Sequence, residues 1–281
     1  MNTRELMRLI IVLISFVAPL ALKAQYDSTR FSVYKTNPKL EIPIPMAFFV
    51  GSYFGFKALD KYASITEEDV LKLNPETINS FDRPVAYYNP ANFEGAQQTS
   101  NVLLDVALVS PVFLLLDKKI RKDWKDILSL FLVTHAIDNV IYFSSGTAVW
   151  RPRPLTYNPA VPLSEKIGEG KSNSFFSGHT SWSATSTFFL VKIYTDYHQV
   201  KGFKRLLLYT GAAVPPAVVG YYRMEAGKHF KTDVITGLLV GALCGITVPE
   251  LHRVKSKIEN FTVSPFMMRG ANGISLTYKI K

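Results

Sequence analysis

Six apolar segments, separated by polar stretches, dominate the pattern of this chain. Each is long enough for a buried helix, but several fall short of the roughly 17 to 20 residues that a bilayer crossing requires. The third also carries His135, Asp138 and Asn139 within its apolar run. The pattern therefore predicts helices that pack together and are marginal as membrane spans. The segments cover residues 42–59, 102–116, 127–143, 180–194, 206–222 and 234–248.

The N-terminal residues 1–24 have the pattern of a secretory signal peptide. Arg4 and Arg8 precede an apolar stretch, and Ala24 supplies a small residue before a cleavage site. Leu22 fits poorly at the third position before that site, so an uncleaved N-terminal anchor is the alternative. Both interpretations predict export to the cell envelope.

Two further stretches depart from the long helical segments. In the polar stretch after the first segment, Ser64 and Glu67 have the spacing of a capping box, which predicts a short helix over residues 66–73. In the C-terminal tail, residues 261–267 and 274–280 flank the sequence Arg-Gly-Ala-Asn-Gly, and the second stretch alternates apolar and polar positions. This tail predicts a small β-hairpin.

These patterns divide the chain into four parts and predict an all-α fold with one small β element. Residues 1–24 are the signal peptide or anchor. Residues 25–101 hold an N-terminal extension, the first apolar helix and a polar loop. Residues 102–250 form the helical core, and residues 251–281 carry the hairpin tail.

The composition favours a protein of the membrane or its surface. Hydrophobic residues make up 48% and charged residues 19% of the chain, which is rich in apolar residues for a soluble protein. The net charge of +10 is compatible with nucleic acid, anionic lipid or a phosphorylated substrate. The positive charges lie in short loops such as 117–126 and 198–205, as in cytoplasmic loops of membrane proteins, so nucleic acid is the weaker interpretation. A single cysteine, Cys244, excludes an intrachain disulfide.

The basic loops and the N-terminal signal imply conflicting topologies. If the basic loops face the cytoplasm, the polar stretches 144–178 and 223–233 face outward and segment 42–59 has to begin inside. A cleaved signal peptide would instead leave Gln25 outside. Two alternatives remain: the signal is not cleaved and segment 42–59 fails to cross, or the helices do not all span the bilayer.

Three polar clusters lie where apolar segments end. The first cluster, residues 151–154 (Arg-Pro-Arg-Pro), holds two guanidiniums in a loop stiffened by proline. A guanidinium offers a planar fork of donors, so this loop favours an anion site. The alternative is an ordinary solvated turn.

The second cluster, residues 174–180, opens the fourth apolar segment. Backbone N–H groups at a helix start attract anions, and Gly178 permits a ligand to come close. Ser177 adds a hydroxyl donor, and His179 is able to give or take a proton. A helix cap with a partly exposed histidine is the alternative.

The third cluster, residues 223–233, precedes the last apolar segment. His229 and Asp233 are four residues apart and share one face of a helix. A carboxylate there is able to hold one ring nitrogen of His229 and leave the other free to attack. A buried polar pair is the alternative.

Together the three clusters resemble the tripartite signature of the type 2 phosphatidic acid phosphatase (PAP2) superfamily, which also includes vanadium haloperoxidases and bacterial acid phosphatases. The pattern is Lys, six residues, Arg-Pro; then Pro-Ser-Gly-His; then Ser-Arg, five residues, His, three residues, Asp. The matching residues, at those spacings, are Arg153, Pro154, Ser177, Gly178, His179, Arg223, His229 and Asp233.

The chain departs from that signature at three positions. Gly146 stands where the family has lysine, Phe176 replaces proline, and Tyr222 replaces serine. Glycine is unable to supply a cation, so Arg151 or Lys228 has to substitute if the site keeps the same charge.

The resemblance implies a six-helix bundle of the PAP2 type and a phosphatase that uses no metal or other cofactor. It implies that Arg153, Arg223, Ser177 and the backbone of Gly178 hold the nonbridging phosphate oxygens. Guanidiniums would then supply the charge stabilisation that phosphoryl transfer requires.

The resemblance also assigns the catalytic roles. His229, oriented by Asp233, attacks phosphorus and forms a phosphohistidine. His179 protonates the leaving oxygen and then activates water to release phosphate.

Export and helix-rich composition favour a lipid-like phosphate ester as the substrate: phosphatidate, phosphatidylglycerophosphate, undecaprenyl diphosphate or a lipid A phosphate. The expected location is the cell membrane with a periplasm-facing active site, or the periplasm. One alternative is a soluble periplasmic acid phosphatase of broad specificity, and a vanadate-dependent haloperoxidase is another. From a different class, polar clusters also line pathways in noncatalytic membrane transport or binding proteins.

Overall fold

Helices dominate the part of the chain that the structure, a computed structural model, describes: residues 32–254, 261–268 and 271–278. The prediction of a helical fold is confirmed. The predicted signal peptide or anchor at residues 1–24 lies outside the described residues. The long helices are α1 (Pro43–Tyr62), α2 (Phe93–Val109), α3 (Trp124–Ala148), α4 (Gly178–Tyr197), α5 (Gly202–Glu225) and α6 (Lys231–His252).

Short helices also form in the polar connections, so the predicted count of six helices is not confirmed. The helix Glu67–Leu71 occupies the stretch where the sequence predicts one. Its capping box is formed by Thr66 and Asp69, not by Ser64 and Glu67, because the helix begins two residues later than that pairing requires. The other short helices are Pro38–Glu41, Lys118–Arg121, Pro154–Tyr157 and Leu163–Lys166, with 3-10 turns at Pro75–Thr77, Arg83–Tyr87, Pro90–Asn92 and Ser110–Leu116.

The C-terminal tail contains two β-strands, β1 (Phe261–Met268) and β2 (Ala271–Tyr278), which pair antiparallel. Phe261 lies opposite Tyr278 in this register. The two residues between the strands lie outside the described ranges. The hairpin turn and its purpose therefore stay predictions.

Glycines allow α4 and α6 to run side by side in close contact. Gly237, Gly241 and Gly245 recur at every fourth position of α6 and form its glycine face. A Cβ atom built on Gly237 would lie 2.5 Å from the Ser177 carbonyl oxygen, and one on Gly241 would lie 2.1 Å from that of Ser181. Small residues at this spacing let two helix backbones approach each other closely. Because the contacts advance along both helices together, α4 and α6 are parallel and begin at the same end.

Large apolar side chains lie exposed on the outer faces of the long helices, while several polar side chains are buried among the apolar ones inside. Val50 and Phe54 of α1 are 68% and 66% exposed, and Leu243 of α6 is 63% exposed. In the interior, the Asp138 carboxylate of α3 accepts a hydrogen bond of 2.6 Å from the Ser181 hydroxyl. Such a surface is solvated by hydrocarbon rather than by water, so the chain is associated with a membrane. Four described helical stretches are long and apolar enough to cross a bilayer: Pro38–Tyr62, Pro90–Leu116, Trp124–Ala148 and Lys231–His252.

The two predicted basic loops meet at one end of the helical assembly. The His198 ring bonds the Asp117 carboxylate at 2.7 Å, which joins the two loops directly. Tyr34, which precedes α1, lies at the same end because its hydroxyl donates to Asp196 at 2.7 Å. The three polar clusters lie at the opposite end, where α3 and α5 stop and α4 and α6 begin.

Substitution of Gly241 by Ala is expected to destabilise the protein by about 1–3 kcal/mol, because the new methyl group would overlap the Ser181 carbonyl oxygen. Thermal unfolding of the purified protein in detergent measures the change. Gly211→Ala on α5 is the matched control, since nothing lies within 4 Å of the added atom. Equal unfolding temperatures for the two variants would contradict the close packing of α4 against α6.

Candidate active site

The carboxylate of Asp233 joins the three polar clusters. It lies in the first turn of α6 and accepts hydrogen bonds from the Arg151 guanidinium, from the Ser174 hydroxyl at 2.6 Å and from the Phe230 backbone N–H at 2.7 Å. The Ser177 N–H also donates to the Asp233 backbone carbonyl at 3.1 Å. Stretches far apart in sequence are therefore brought to one place.

Arg151 is held between two buried carboxylates. One nitrogen of its guanidinium binds Asp233, and the other donates to Asp82 at 2.8 Å. Its guanidinium also lies over the Phe230 ring, 4.6 Å from the centroid. Burial raises the pKa of Asp82, but hydrogen bonds from Thr232 and Arg151, among others, outweigh burial and lower the pKa overall. Arg151 is thus part of a hydrogen-bond network inside the protein, in which Asp82 and Asp233 neutralise its charge.

Arg153, by contrast, is oriented by an amide and not by a carboxylate. Its Nε and one terminal nitrogen donate to the Asn173 side-chain oxygen at 3.2 and 2.9 Å. The Asn173 amide nitrogen in turn donates to Asp60, at the end of α1, at 3.4 Å. An amide partner fixes the geometry of the guanidinium and leaves its charge available for an anion.

Arg223, in the last turn of α5, is 5% exposed. One terminal nitrogen donates to the Ser100 hydroxyl of α2 at 3.4 Å, and its buried Nε has no hydrogen-bond partner among the described residues. A buried donor without a partner is costly, and a buried guanidinium more so. Arg153 and Arg223 together therefore favour an anion beside them.

His229 is 2% exposed and is oriented by a backbone carbonyl. Its Nδ1 lies 2.6 Å from the Ser174 carbonyl oxygen, so Nδ1 carries the proton and Nε2 keeps its lone pair. Burial, followed by the charges of Arg153 and Arg223, lowers the pKa of His229 well below its usual value. A low pKa favours the neutral ring, whose Nε2 lone pair is chemically able to attack an electrophile.

The predicted orientation of His229 by Asp233 needs a correction. The Asp233 carboxylate is occupied by Arg151, by the Phe230 N–H and by the Ser174 hydroxyl, while the ring bonds the Ser174 carbonyl. Asp233 therefore acts on the ring through Ser174. The reason is that the backbone turns at Phe230, so the two residues are not in one continuous helix.

His179 lies in the first turn of α4 and is half-buried. Its Nε2 bonds the Asn101 side-chain oxygen of α2 at 2.8 Å. The ring also stacks on Trp182, with 6.3 Å between the ring centroids. His179 contributes to lowering the pKa of His229, which places the two imidazoles in the same electrostatic environment.

Ser177 and Gly178 form the start of α4. The Ser177 hydroxyl pairs with the Thr180 hydroxyl at 2.9 Å, and a Cβ atom on Gly178 would lie 2.9 Å from the Tyr142 ring. The glycine is therefore required by packing as well as by the predicted approach of a ligand. The first backbone N–H groups of a helix have no partner within it, so they are available to an anion.

A cavity of about 290 Å³ opens at the turn between Arg223 and His229, where Ala226 and Lys228 line it. Lys171 and Lys228 line it together with Glu94, Gln97 and Glu165. Its volume accommodates a phosphate group with part of the alcohol attached to it.

Several contact residues of the site were not identified from the sequence. None has a periodic or motif-like spacing, because each contacts the site from another element. The polar residues are Asp60, Asp82, Ser100, Asn101 and Asn173.

A family model described as the PAP2 superfamily matches residues 127–257, which include all three clusters. Over this stretch, which is somewhat less than half of the chain, the sequence is similar to the PAP2 superfamily. PAP2 members are phosphatases. Among solved structures, a transmembrane PAP2 type phosphatidylglycerolphosphate phosphatase from Bacillus subtilis is 19% identical, covers 85% of this chain and 93% of its own, and has a TM-score of 0.37.

The described residues contain no group of three or more His, Cys, Asp or Glu side chains that could hold a metal ion. Metal independence of this protein stays a prediction.

Substitution of Asp82 by Asn is expected to lower the free energy of unfolding by about 1.5–3 kcal/mol, because it removes charged hydrogen bonds to Arg151 and Thr232. Glu76→Gln is the control, because the Glu76 carboxylate forms exposed contacts with Arg83 and the Tyr87 hydroxyl, and its loss is expected to cost less than about 1 kcal/mol. Chemical unfolding of both variants measures the difference. A smaller loss for Asp82→Asn than for Glu76→Gln would contradict the assigned network.

Proposed function

We propose that this chain removes phosphate from a lipid-like phosphate ester at the outer face of the cytoplasmic membrane, through a phosphohistidine on His229. The observation that carries the proposal is the pair of buried guanidiniums, Arg153 and Arg223, without carboxylate partners among the described residues and next to a neutral imidazole. That arrangement suits a phosphate dianion and a nitrogen nucleophile.

In the first step, the Nε2 lone pair of His229 attacks phosphorus while the bond to the leaving oxygen breaks. Burial and the charges of Arg223 and Arg153 lower the pKa of His179, whereas the bound phosphate dianion favours its protonated form. The protonated His179 gives its proton to the leaving oxygen, and the alcohol departs. In the second step, water attacks the phosphohistidine as His179 takes a proton from it. Phosphate leaves, and the neutral ring of His229 is restored.

Charge stabilisation comes from Arg153 and Arg223, with Ser177 and the backbone of Gly178 at the start of α4. Negative charge spreads over the nonbridging oxygens in the transition state, so fixed donors around them lower the barrier. Each such donor is worth on the order of 10²–10³ in rate. Catalysis at such a site therefore depends mainly on how accurately these donors are positioned around the phosphate oxygens.

Membrane geometry supports a lipid substrate and an outward-facing site. The exposed apolar faces of α1 and α6 contact hydrocarbon, and the three clusters lie at helix ends, at the level of lipid headgroups. The basic loops lie at the opposite end, and such loops remain in the cytoplasm. The same apolar faces disfavour the soluble periplasmic alternative.

His229→Ala is expected to reduce phosphate release from a panel of phospholipid, prenyl and lipid A phosphates by at least about 10³-fold, because the nucleophile is lost. The assay uses the full-length protein in detergent with EDTA present. His198→Ala, at the opposite end, is the control and is expected to change the rate less than about threefold. Turnover by His229→Ala near that of the control would refute the proposed nucleophile.

The pH profile of kcat/KM tests the state of His229. Because its pKa is held well below the usual value, the ring stays neutral and active through pH 6.5 and below. We therefore expect the acid limb of the profile, corrected for ionisation of the substrate, to lie below pH 6.5. An acid limb at or above pH 6.5 would contradict the assignment of a neutral His229 as the nucleophile.

A further inference from the structure

Position 146, where the PAP2 signature has lysine, does not face the phosphate site. A Cβ atom on Gly146 would lie 3.0 and 3.3 Å from the two methyl carbons of Leu59 on α1. Leu59 is 1% exposed and belongs to an apolar cluster with Tyr142 and Phe143. A charged side chain at this position would enter that cluster, so the missing cation has to come from elsewhere.

Arg151 is unable to replace it. Its guanidinium is bound to Asp82, Asp233 and the Thr232 hydroxyl, at 3.0 Å for the last, and lies over the Phe230 ring. Two carboxylates already neutralise its charge. Releasing it toward a substrate would leave those buried carboxylates without a partner.

The backbone of Lys228 is fixed between the anion site and the nucleophile. Its N–H donates to the Arg223 carbonyl at 3.1 Å, and its carbonyl accepts from the Ser174 hydroxyl at 3.3 Å. Gly227 before it has φ +64°, and a Cβ atom there would lie 2.8 Å from the Phe93 ring, so only glycine suits this turn. This turn therefore holds the backbone of Lys228 in place between Arg223 and His229.

The side chain of Lys228 lines the cavity of about 290 Å³ and forms no hydrogen bond or salt bridge with another residue in the described part of the chain. Burial, followed by the charges of Arg153, Arg223 and Lys171, lowers its pKa to about 7. A bound phosphate dianion favours the charged ammonium, so binding is expected to return Lys228 to its protonated form.

We propose that the Lys228 ammonium binds a nonbridging oxygen of the transferred phosphoryl group and supplies the cation that position 146 lacks. The proposal rests on the phosphatase function described above. It adds a third cation to Arg153 and Arg223, contributed by the residue next to the nucleophile His229. No bond to the lysine forms or breaks, because its role is electrostatic.

The experiment compares Lys228→Met and Lys228→Arg with Lys171→Met in the full-length protein. Lys171 lines the same cavity, but its ammonium donates to the Glu165 carbonyl at 2.7 Å. We expect Lys228→Met to lower kcat/KM about 10²-fold and to weaken competitive inhibition by inorganic phosphate at least about 10-fold. Lys228→Arg is expected to recover most of both, and Lys171→Met is expected to lower each by a smaller factor than Lys228→Met does.

The outcomes separate this inference from the proposed function. An active wild-type protein with an unaltered Lys228→Met variant would overturn the inference and leave the function standing. An equal loss in Lys171→Met would also overturn it, because the effect would then reflect the general positive potential of the cavity. If the wild type is inactive on every ester tested, the function fails. In that case the affinity of the protein for inorganic phosphate, measured by calorimetry, tests the inference alone. The inference predicts a weaker affinity in Lys228→Met and a recovered affinity in Lys228→Arg, and it fails if either change is missing.

Discussion

The whole site depends on one buried carboxylate, that of Asp233, because this carboxylate requires hydrogen-bond donors and an opposite charge around it. A carboxylate out of water is strongly unfavourable unless hydrogen bonds and an opposite charge surround it. Asp233 obtains them from Arg151 of the first cluster, Ser174 of the second and the Phe230 N–H of its own. The same interaction positions the Ser174 carbonyl that orients His229. The hydrogen bonds that stabilise the Asp233 carboxylate thus also position His229, the proposed nucleophile.

Two parallel helices direct their positive ends at the place where a phosphate is proposed to bind. The glycine face of α6 lets it lie against α4, so that Gly178 and Lys231 begin both helices at the same end. Helix N-termini favour anions, and the guanidiniums of Arg153 and Arg223 add full charges to these partial ones. The exposed apolar faces run along the helices, so this positive charge is concentrated at one end of the apolar surface.

Local sequence predicted well what depends on short spacing. The segment 234–248 lies within α6 and the segment 180–194 within α4, since apolar length alone favours a helix there. Spacing was less informative where a turn intervenes. His229 and Asp233 have helical spacing, yet the chain turns at Phe230, and the ring bonds a carbonyl from another cluster.

The sequence by itself determined the helical class, the apolar surface and the chemical types that assemble at one helix end, because these follow from the residues and their neighbours in the chain. Tertiary structure alone decided the partners: Asp82 for Arg151, Asn173 for Arg153, and Leu59 against Gly146. Those contacts join residues far apart in sequence. A buried polar group can form a hydrogen bond with any residue of suitable chemistry that packing brings within about 3 Å. The sequence positions of such partners follow no periodic pattern, so the sequence alone does not predict them.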